Sequence, residues 1–301
     1  MSTGGARVQA PLATEISWIA DYAELTKPRV TALVLMSTLV GFYLGSQGDL
    51  SMPLLFHTML GTALVAAGTA ALNQYWEREA DGKMLRTKDR PLPAGRMEPW
   101  KALSFGAVLS VSGLVYLLQA VSFLAAFLAG MTVAAYLFLY TPLKQRTPHS
   151  TLVGAFPGAI PPMIGYVAAS GDFTLDAGIL YMILFLWQFP HFLAIAWLYR
   201  EDYERAGIVM LPVIEPDGKS TGRQIVVYCS ILLPASLLPS LVGEMGWIYF
   251  GGAFALSAVF LHYGILSARA RTKVQARRLL QASVIYLPLV YGLMMLDKMI
   301  S

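Results

Sequence analysis

Nine stretches of mostly apolar residues run along the 301-residue chain. They are Val30 to Ser46, Met52 to Tyr75, Ala102 to Ala120, Phe123 to Tyr140, Thr151 to Ala169, Gly178 to Tyr199, Ile225 to Val242, Trp247 to Leu266 and Leu279 to Leu296. Each is close to the ~20 residues that a helix needs to cross a bilayer. The pattern predicts an all-α polytopic membrane protein with nine transmembrane helices, residues 30–301 forming a single membrane domain. Ahead of it, residues 1–29 read as a cytoplasmic segment. This segment carries Arg7, Glu15, Asp21, Glu24 and Lys27 and has no long apolar run, so it is not a cleavable signal peptide. Within it, Ile16 to Leu25 reads as a short amphipathic helix lying at the membrane surface.

Composition agrees with this pattern. Hydrophobic residues make up 56% of the chain and charged residues 13%, about half the ~25% of an ordinary soluble domain. With a mean hydropathy of +0.57, too few polar groups exist to cover a water-facing globule, which excludes a soluble enzyme. A net charge of +4 is what basic cytoplasmic loops give a membrane protein, so no nucleic-acid partner is implied and the partner is the lipid bilayer. The one cysteine, Cys229, lies in the seventh apolar run and reads as a small core residue.

The placement of the charges sets the orientation. Lys and Arg number three before the first span, seven between the second and third, two between the fourth and fifth, four between the sixth and seventh, and five between the eighth and ninth. That is 21 of the 22, with Lys298 alone beyond the last span. By the positive-inside rule the N-terminus is cytoplasmic and, after nine spans, the C-terminus is outside. The outer loops are only a few residues long, so the sizeable polar structure is cytoplasmic.

The clearest chemical signal is Asn73, Glu77 and Asp81 at the end of the second span. At ~100° per residue, side chains four apart drift by only ~40° per step while rising ~6 Å, so these three share a helix face. Hard oxygen donors in that arrangement suit magnesium, which is held by one or two carboxylates together with substrate phosphates. A solvated helix end with i, i+4 charge pairs is the plainer reading, but ionisable groups leaving an apolar span usually mark function. Downstream, Arg86, Lys88 and Arg90 alternate, so an extended segment would present them on one side as a phosphate clamp. Tyr136, Tyr140 and Lys144 follow at i, i+4 and i+8, with Arg146 just beyond. Trp187, His191 and Asp202 fall within ~60° on a helical wheel if Pro190 leaves the helix straight. The tyrosines read either as interfacial belt residues or as rings around an allylic cation. His191 reads either as a packing residue or as a general base or haem-iron ligand. In the fifth span, Gly154, Gly158, Pro161, Pro162 and Gly165 either let helices pack closely or line a cavity.

The stretch Asn73-x-x-x-Glu77-x-x-x-Asp81 with Arg86-Thr87-x-x-Arg90-Pro91-Leu92-Pro93 resembles the first signature of the UbiA superfamily of intramembrane prenyltransferases. Leu25-Thr26-Lys27-Pro28-Arg29, Tyr140-Thr141-x-x-Lys144, Gly158-x-x-Pro161-Pro162, Pro190-His191-Phe192 and Tyr199-Arg200-x-Asp202-Tyr203 are similar to its haem O synthase branch. The resemblance implies nine helices around a cavity open to the cytoplasmic side of a bacterial inner membrane. It implies farnesyl transfer from farnesyl diphosphate to a vinyl group of protoheme IX, with water added, and passage of haem O to a haem O hydroxylase or terminal oxidase assembly. Asn73, Glu77, Asp81, Asp202 and His191 would be catalytic. Magnesium would sit on Asn73, Glu77, Asp81, Glu201 and Asp202, the last two being the remnant of the superfamily's second Asp-rich motif. Arg86, Lys88, Arg90, Lys144 and Arg146 would take the diphosphate, and Tyr136, Tyr140, Trp187 and Tyr199 the prenyl and haem groups. Prenylation of a quinone precursor such as 4-hydroxybenzoate is the nearest alternative reading, and a secondary transporter the farther one.

Overall fold

The computed structural model describes residues 12–300, with side chains from Trp18 onward. The first eleven residues of the expected N-terminal segment lie outside this range. Among the described residues there are only helices and turns, and nine helical spans are long and apolar enough to cross a membrane. After α1 (Leu12–Leu25), these spans are α2 (Pro28–Gly45), α3 (Met52–Lys83), α4 (Pro99–Ala120), α5 (Phe123–Ala134) continuing through a π-helical turn, Ala135–Tyr140, into α6 (Thr141–Leu143), and α7 (Ser150–Gly158) followed by α8 (Pro161–Ser170). Next come α9 (Leu175–Leu198), the short α10 (Arg200–Arg205) and α11 (Leu211–Ile214), and then α12 (Lys219–Leu241), α13 (Trp247–Ala270) and α14 (Lys273–Ile300). The chain is therefore a multi-pass membrane protein.

Consecutive spans pack side by side from α2 onward, and α14 returns to α2, which closes the bundle. The α7–α8 and α9 spans are the most enclosed, with 72% and 67% of their windows buried against 22% for Phe123–Leu143. Lipid covers what protein does not, so the exposed Phe56, Phe123, Phe138 and Trp247 need no other cover.

Small residues set how closely the centre packs. A Cβ on Gly41 would fall 1.9 Å from the Pro162 carbonyl oxygen, and one on Gly165 would fall 1.8 Å from that of Thr38. The backbones of α2 and α8 therefore touch, as membrane helices do where only small residues intervene. Gly154 and Gly158 make room for the Tyr140 ring and the Gln188 amide. Close packing is thus what the glycines of the fifth span provide. Pro161 and Pro162 break that span at Ala159–Ile160, and the Thr38 hydroxyl donates to the Pro161 carbonyl at 3.2 Å, so the irregular backbone is partnered inside protein.

The far end of the bundle is tied by α14. Asp297 accepts from the backbone N–H groups of Gly246 and Tyr249 at the start of α13. Lys298 donates to the carbonyls of Tyr43, Leu44 and Ser46 at the end of α2. An anion at a helix N-terminus and a cation at a C-terminus are both favourable placements, which gives the one basic residue beyond the last span a structural task.

Candidate active site

The polar residues singled out in the second span stand on α3, which continues past the apolar run to Lys83. That extension keeps Asn73, Glu77 and Asp81 on one helical face. One oxygen of each meets a basic side chain. Lys27 Nζ donates to Asn73 Oδ1 at 2.7 Å, Lys144 Nζ to Glu77 Oε1 at 2.6 Å, and Arg90 Nη1 to Asp81 Oδ2 at 2.6 Å. Asn73 and Asp81 are buried. Asn73 also donates through Nδ2 to Thr141 Oγ1, which fixes its amide oxygen toward Lys27.

Lys27 has a left-handed backbone, φ 47° and ψ 64°, at the cap of α2. Such a conformation costs of order 1–3 kcal/mol in a non-glycine residue and persists only where surroundings over-determine it. Burial, with Arg90 adding to it, pulls the Lys27 ammonium down to about 8. Lys144 moves the other way: burial opposes its charge, but the Glu77 carboxylate, its hydrogen bond and the nearby Tyr140 and Tyr136 together outweigh burial and hold the ammonium well above its ordinary range.

The turns between α3 and α4 close over this row. The predicted extended segment is not formed. Residues 84–97 fold into successive turns, with Lys88 N–H bonded back to the Met84 carbonyl and Arg90 N–H to that of Thr87. Arg86, Lys88 and Arg90 therefore diverge. Arg90 turns inward to Asp81, Arg86 lies over the Tyr199 ring at 5.3 Å, and Lys88 is exposed. The cause is local: the buried Thr87 hydroxyl donates to the Asp81 carbonyl at 2.8 Å and pulls the chain back onto the helix end.

Tyr136 and Tyr140 lie in the π-helical turn, where Thr141 N–H reaches the Tyr136 carbonyl five residues back. Their ring centroids are 5.1 Å apart, and Lys144 Nζ sits 4.4 Å from the centre of the Tyr140 ring. Thr141, Lys144 and Glu77 form the polar wall of a cleft of about 150 Å³, closed by Trp76, Ala80, Met84 and Ile208. Arg146 is exposed beyond it.

The predicted wheel of Trp187, His191 and Asp202 holds only in part. The imidazole and indole rings of His191 and Trp187 stack at 4.7 Å. However, the helix ends at Leu198, Tyr199 departs from helical geometry at φ −112° and ψ 24°, and Asp202 belongs to α10. Asp202 is buried, accepts from Leu85 N–H at 3.2 Å and pairs with Arg205, which brings it to the α3–α4 turns. Glu201 is turned away from that cluster. Half-exposed, it pairs with Lys273 at 2.9 Å, because neighbouring helical residues point ~100° apart.

Among the described residues, no three His, Cys, Asp or Glu side chains converge. The α3 row thus offers two carboxylates and an amide, a hard-oxygen set that fits a divalent cation completed by phosphate oxygens and water. Its oxygens are already aimed at positive charge.

The UbiA prenyltransferase family model matches residues 34–287. The chain belongs to this family. It is 53% identical over 287 residues to a Solibacter usitatus protein named protoheme IX farnesyltransferase, covering 92% of this chain and 98% of that one. An Aquifex aeolicus protein of the same name is 41% identical, with coverages of 93% and 95%. Among solved structures, a digeranylgeranylglyceryl phosphate synthase superposes with a TM-score of 0.79 at 19% identity, covering 94% of this chain and 99% of that one. A UbiA homolog from Archaeoglobus fulgidus bound to DMAPP and Mg2+ superposes with 0.69 at 14% identity, with coverages of 91% and 99%. Family membership makes the chain a prenyltransferase and sets the transporter reading aside. The one member of the cluster that residue spacing misses is Lys27. It enters the sequence reading as one charge of the N-terminal segment and inside the Leu25–Arg29 resemblance, with no role assigned, and its partner lies 46 residues away.

Proposed function

We propose that this chain transfers the farnesyl group of farnesyl diphosphate to a vinyl group of protoheme IX, with addition of water, giving haem O and diphosphate. The observation that carries this reading is the row Asn73, Glu77 and Asp81, matched residue by residue with Lys27, Lys144 and Arg90. Glu77 and Lys144 line the cleft and the other two pairs continue the row from it, an arrangement that suits an anion arriving with a divalent cation. The relatives named protoheme IX farnesyltransferase support the choice of prenyl donor and acceptor.

Asn73, Glu77 and Asp81, with Asp202 at the adjoining turn, would hold magnesium, which when bound neutralises charge on the diphosphate leaving group. Lys27, Lys144 and Arg90 need only small side-chain movements to exchange the α3 oxygens for phosphate oxygens. Preorganised donors aimed at developing charge are usually the largest contribution to catalysis. Arg86, Lys88 and Arg146 extend the positive field outward and steer the anion in. The carbon–oxygen bond of the prenyl diphosphate then breaks, its electron pair leaving with diphosphate. Tyr136 and Tyr140 offer ring faces to the allylic cation, and the Lys144 ammonium over Tyr140 marks one face that already accepts a cation. Trp187 and Tyr199 would contact the prenyl and haem groups. The vinyl group forms the new carbon–carbon bond, and water adds to the resulting cation and releases a proton. The same reading puts the chain in a bacterial inner membrane, with its N-terminus cytoplasmic, its C-terminus outside and a haem O hydroxylase or terminal oxidase assembly downstream.

Membranes containing the expressed chain, given farnesyl diphosphate, protoheme IX and magnesium, should accumulate haem O detectable by pigment extraction and mass spectrometry. Unchanged protoheme beside a prenylated 4-hydroxybenzoate in a parallel incubation would replace this reading with the quinone-precursor one.

A further inference from the structure

His191 carries a hydrogen-bond arrangement that the diphosphate machinery does not use. Its Nδ1 lies 2.8 Å from Ser283 Oγ on α14. The Ser283 hydroxyl has one proton, and it donates that proton to the Leu280 carbonyl at 2.6 Å. Ser283 Oγ therefore accepts from His191, which puts the ring proton on Nδ1. Nε2 is left with its lone pair. No described residue bonds to Nε2, and it is not among the buried polar atoms lacking a partner, so it is open to a ligand.

The ring is also held in orientation. Trp187, one turn earlier on α9, stacks on it at 4.7 Å, and the Trp187 indole N–H donates to the Ser283 carbonyl at 2.9 Å. Ser283 thus anchors both rings. A histidine whose Nδ1–H is bonded by the protein and whose Nε2 is free is the arrangement found at metal-ligating imidazoles, where the partner of the second nitrogen fixes tautomer and direction. The other histidines are placed differently. His57 bonds Tyr116, while His149 and His262 are exposed.

We infer that His191 Nε2 is an axial ligand to the iron of the porphyrin substrate, with Ser283 as the residue that positions it. This rests on the proposed reaction. His191 lies two turns before Tyr199, ~12 Å deeper along α9, and Tyr199 sits beneath Arg86 at the diphosphate end. The offset suits a macrocycle whose iron and reacting vinyl group are several bonds apart. It gives the acceptor a fixed point distinct from the one that holds the donor.

The test titrates the purified full-length protein with ferric haem, without farnesyl diphosphate, and reads the Soret band and the electron paramagnetic resonance spectrum. Wild-type protein should give an imidazole-ligated haem. His191→Ala should lose that signature and regain it with added imidazole, while binding iron-free protoporphyrin IX as wild type does. Ser283→Ala should retain the ligand but weaken haem binding ~10–100-fold, the usual consequence of losing an outer-shell partner. Identical haem spectra in wild type and His191→Ala would overturn the inference, as would loss of iron-free porphyrin binding in that variant, which would make His191 a packing residue. Failure of wild-type protein to make haem O would sink the proposed reaction separately.

Discussion

Lys27 and Lys144 look alike in sequence, yet their surroundings assign them opposite energetic roles. The Lys144 ammonium faces the Glu77 carboxylate, so removing the lysine strands a part-buried anion. Lys27 has only the neutral Asn73 amide as its hydrogen-bond partner, and burial has lowered its affinity for a proton, so its charge is held at a cost. Lys144→Met should therefore destabilise the protein by about 3 kcal/mol, the low end for breaking a buried pair from one side. Lys27→Met removes a charge held at a cost but leaves the buried Asn73 Oδ1 without its donor, so it should destabilise by less than Lys144→Met, about 1 kcal/mol. Both should lower kcat/KM for farnesyl diphosphate, by ~100-fold for the loss of one preorganised donor. Thermal unfolding in detergent, paired with steady-state kinetics, checks the contrast; a Lys27→Met protein that is fully active would remove Lys27 from the site. The α3 oxygens were legible in the sequence because four-residue spacing on a continuing helix is a local property. Lys27 was not, because its position depends on a left-handed turn and a partner on another span.

At the scale of elements, every predicted span coincides with a helix, α3 running about eight residues further to Lys83 and α12 and α14 starting about six earlier, and what the sequence missed lies where helices stop or change pitch. The π turn over Ala135–Tyr140 has one sequence signal: Pro142 has no N–H to give back to Phe138. The departure at Tyr199, which separates Asp202 from His191, has no comparable signal, so a continuous wheel mispaired them. The turns of residues 84–97 are held by side-chain bonds such as Thr87 to the Asp81 carbonyl and Arg90 to the Asp81 carboxylate, invisible in an alternating run of basic residues. The crossing of α2 and α8 is where element packing is most demanding. Gly165→Val puts a Cβ into the Thr38 carbonyl, and overpacking of a well-packed core typically costs 1–3 kcal/mol or more. Here the obstacle is backbone, so the expected outcome is little folded protein on size-exclusion chromatography. Gly178 on α9 has nothing within 4 Å of an added Cβ, and Gly178→Ala should remain monodisperse with unchanged or slightly higher stability, alanine being the better helix former. Equal yields of the two variants would show that α2 and α8 separate more readily than their contact implies.

For the whole molecule, the scarce charges are arranged by side, and the two chemistries are arranged by depth. The cations around α3 are at the basic end of the bundle, and His191 is further into it. This makes orientation a functional property, because an anionic prenyl diphosphate can reach Lys27, Lys144 and Arg90 only from the face that bears the other basic loops. Labelling with a membrane-impermeant thiol reagent tests the arrangement directly, since the one native cysteine, Cys229, is buried and leaves a low background. In intact spheroplasts, Asp172→Cys in the Ser170–Leu175 loop should be labelled. Lys88→Cys should react only after the membrane is permeabilised. The reverse pattern would put the diphosphate site on the outer face, away from any cytoplasmic supply of its anionic substrate. The Lys298 contacts with the end of α2 explain how one basic residue is retained at the end of the bundle opposite the basic loops: three backbone carbonyls hold its ammonium there.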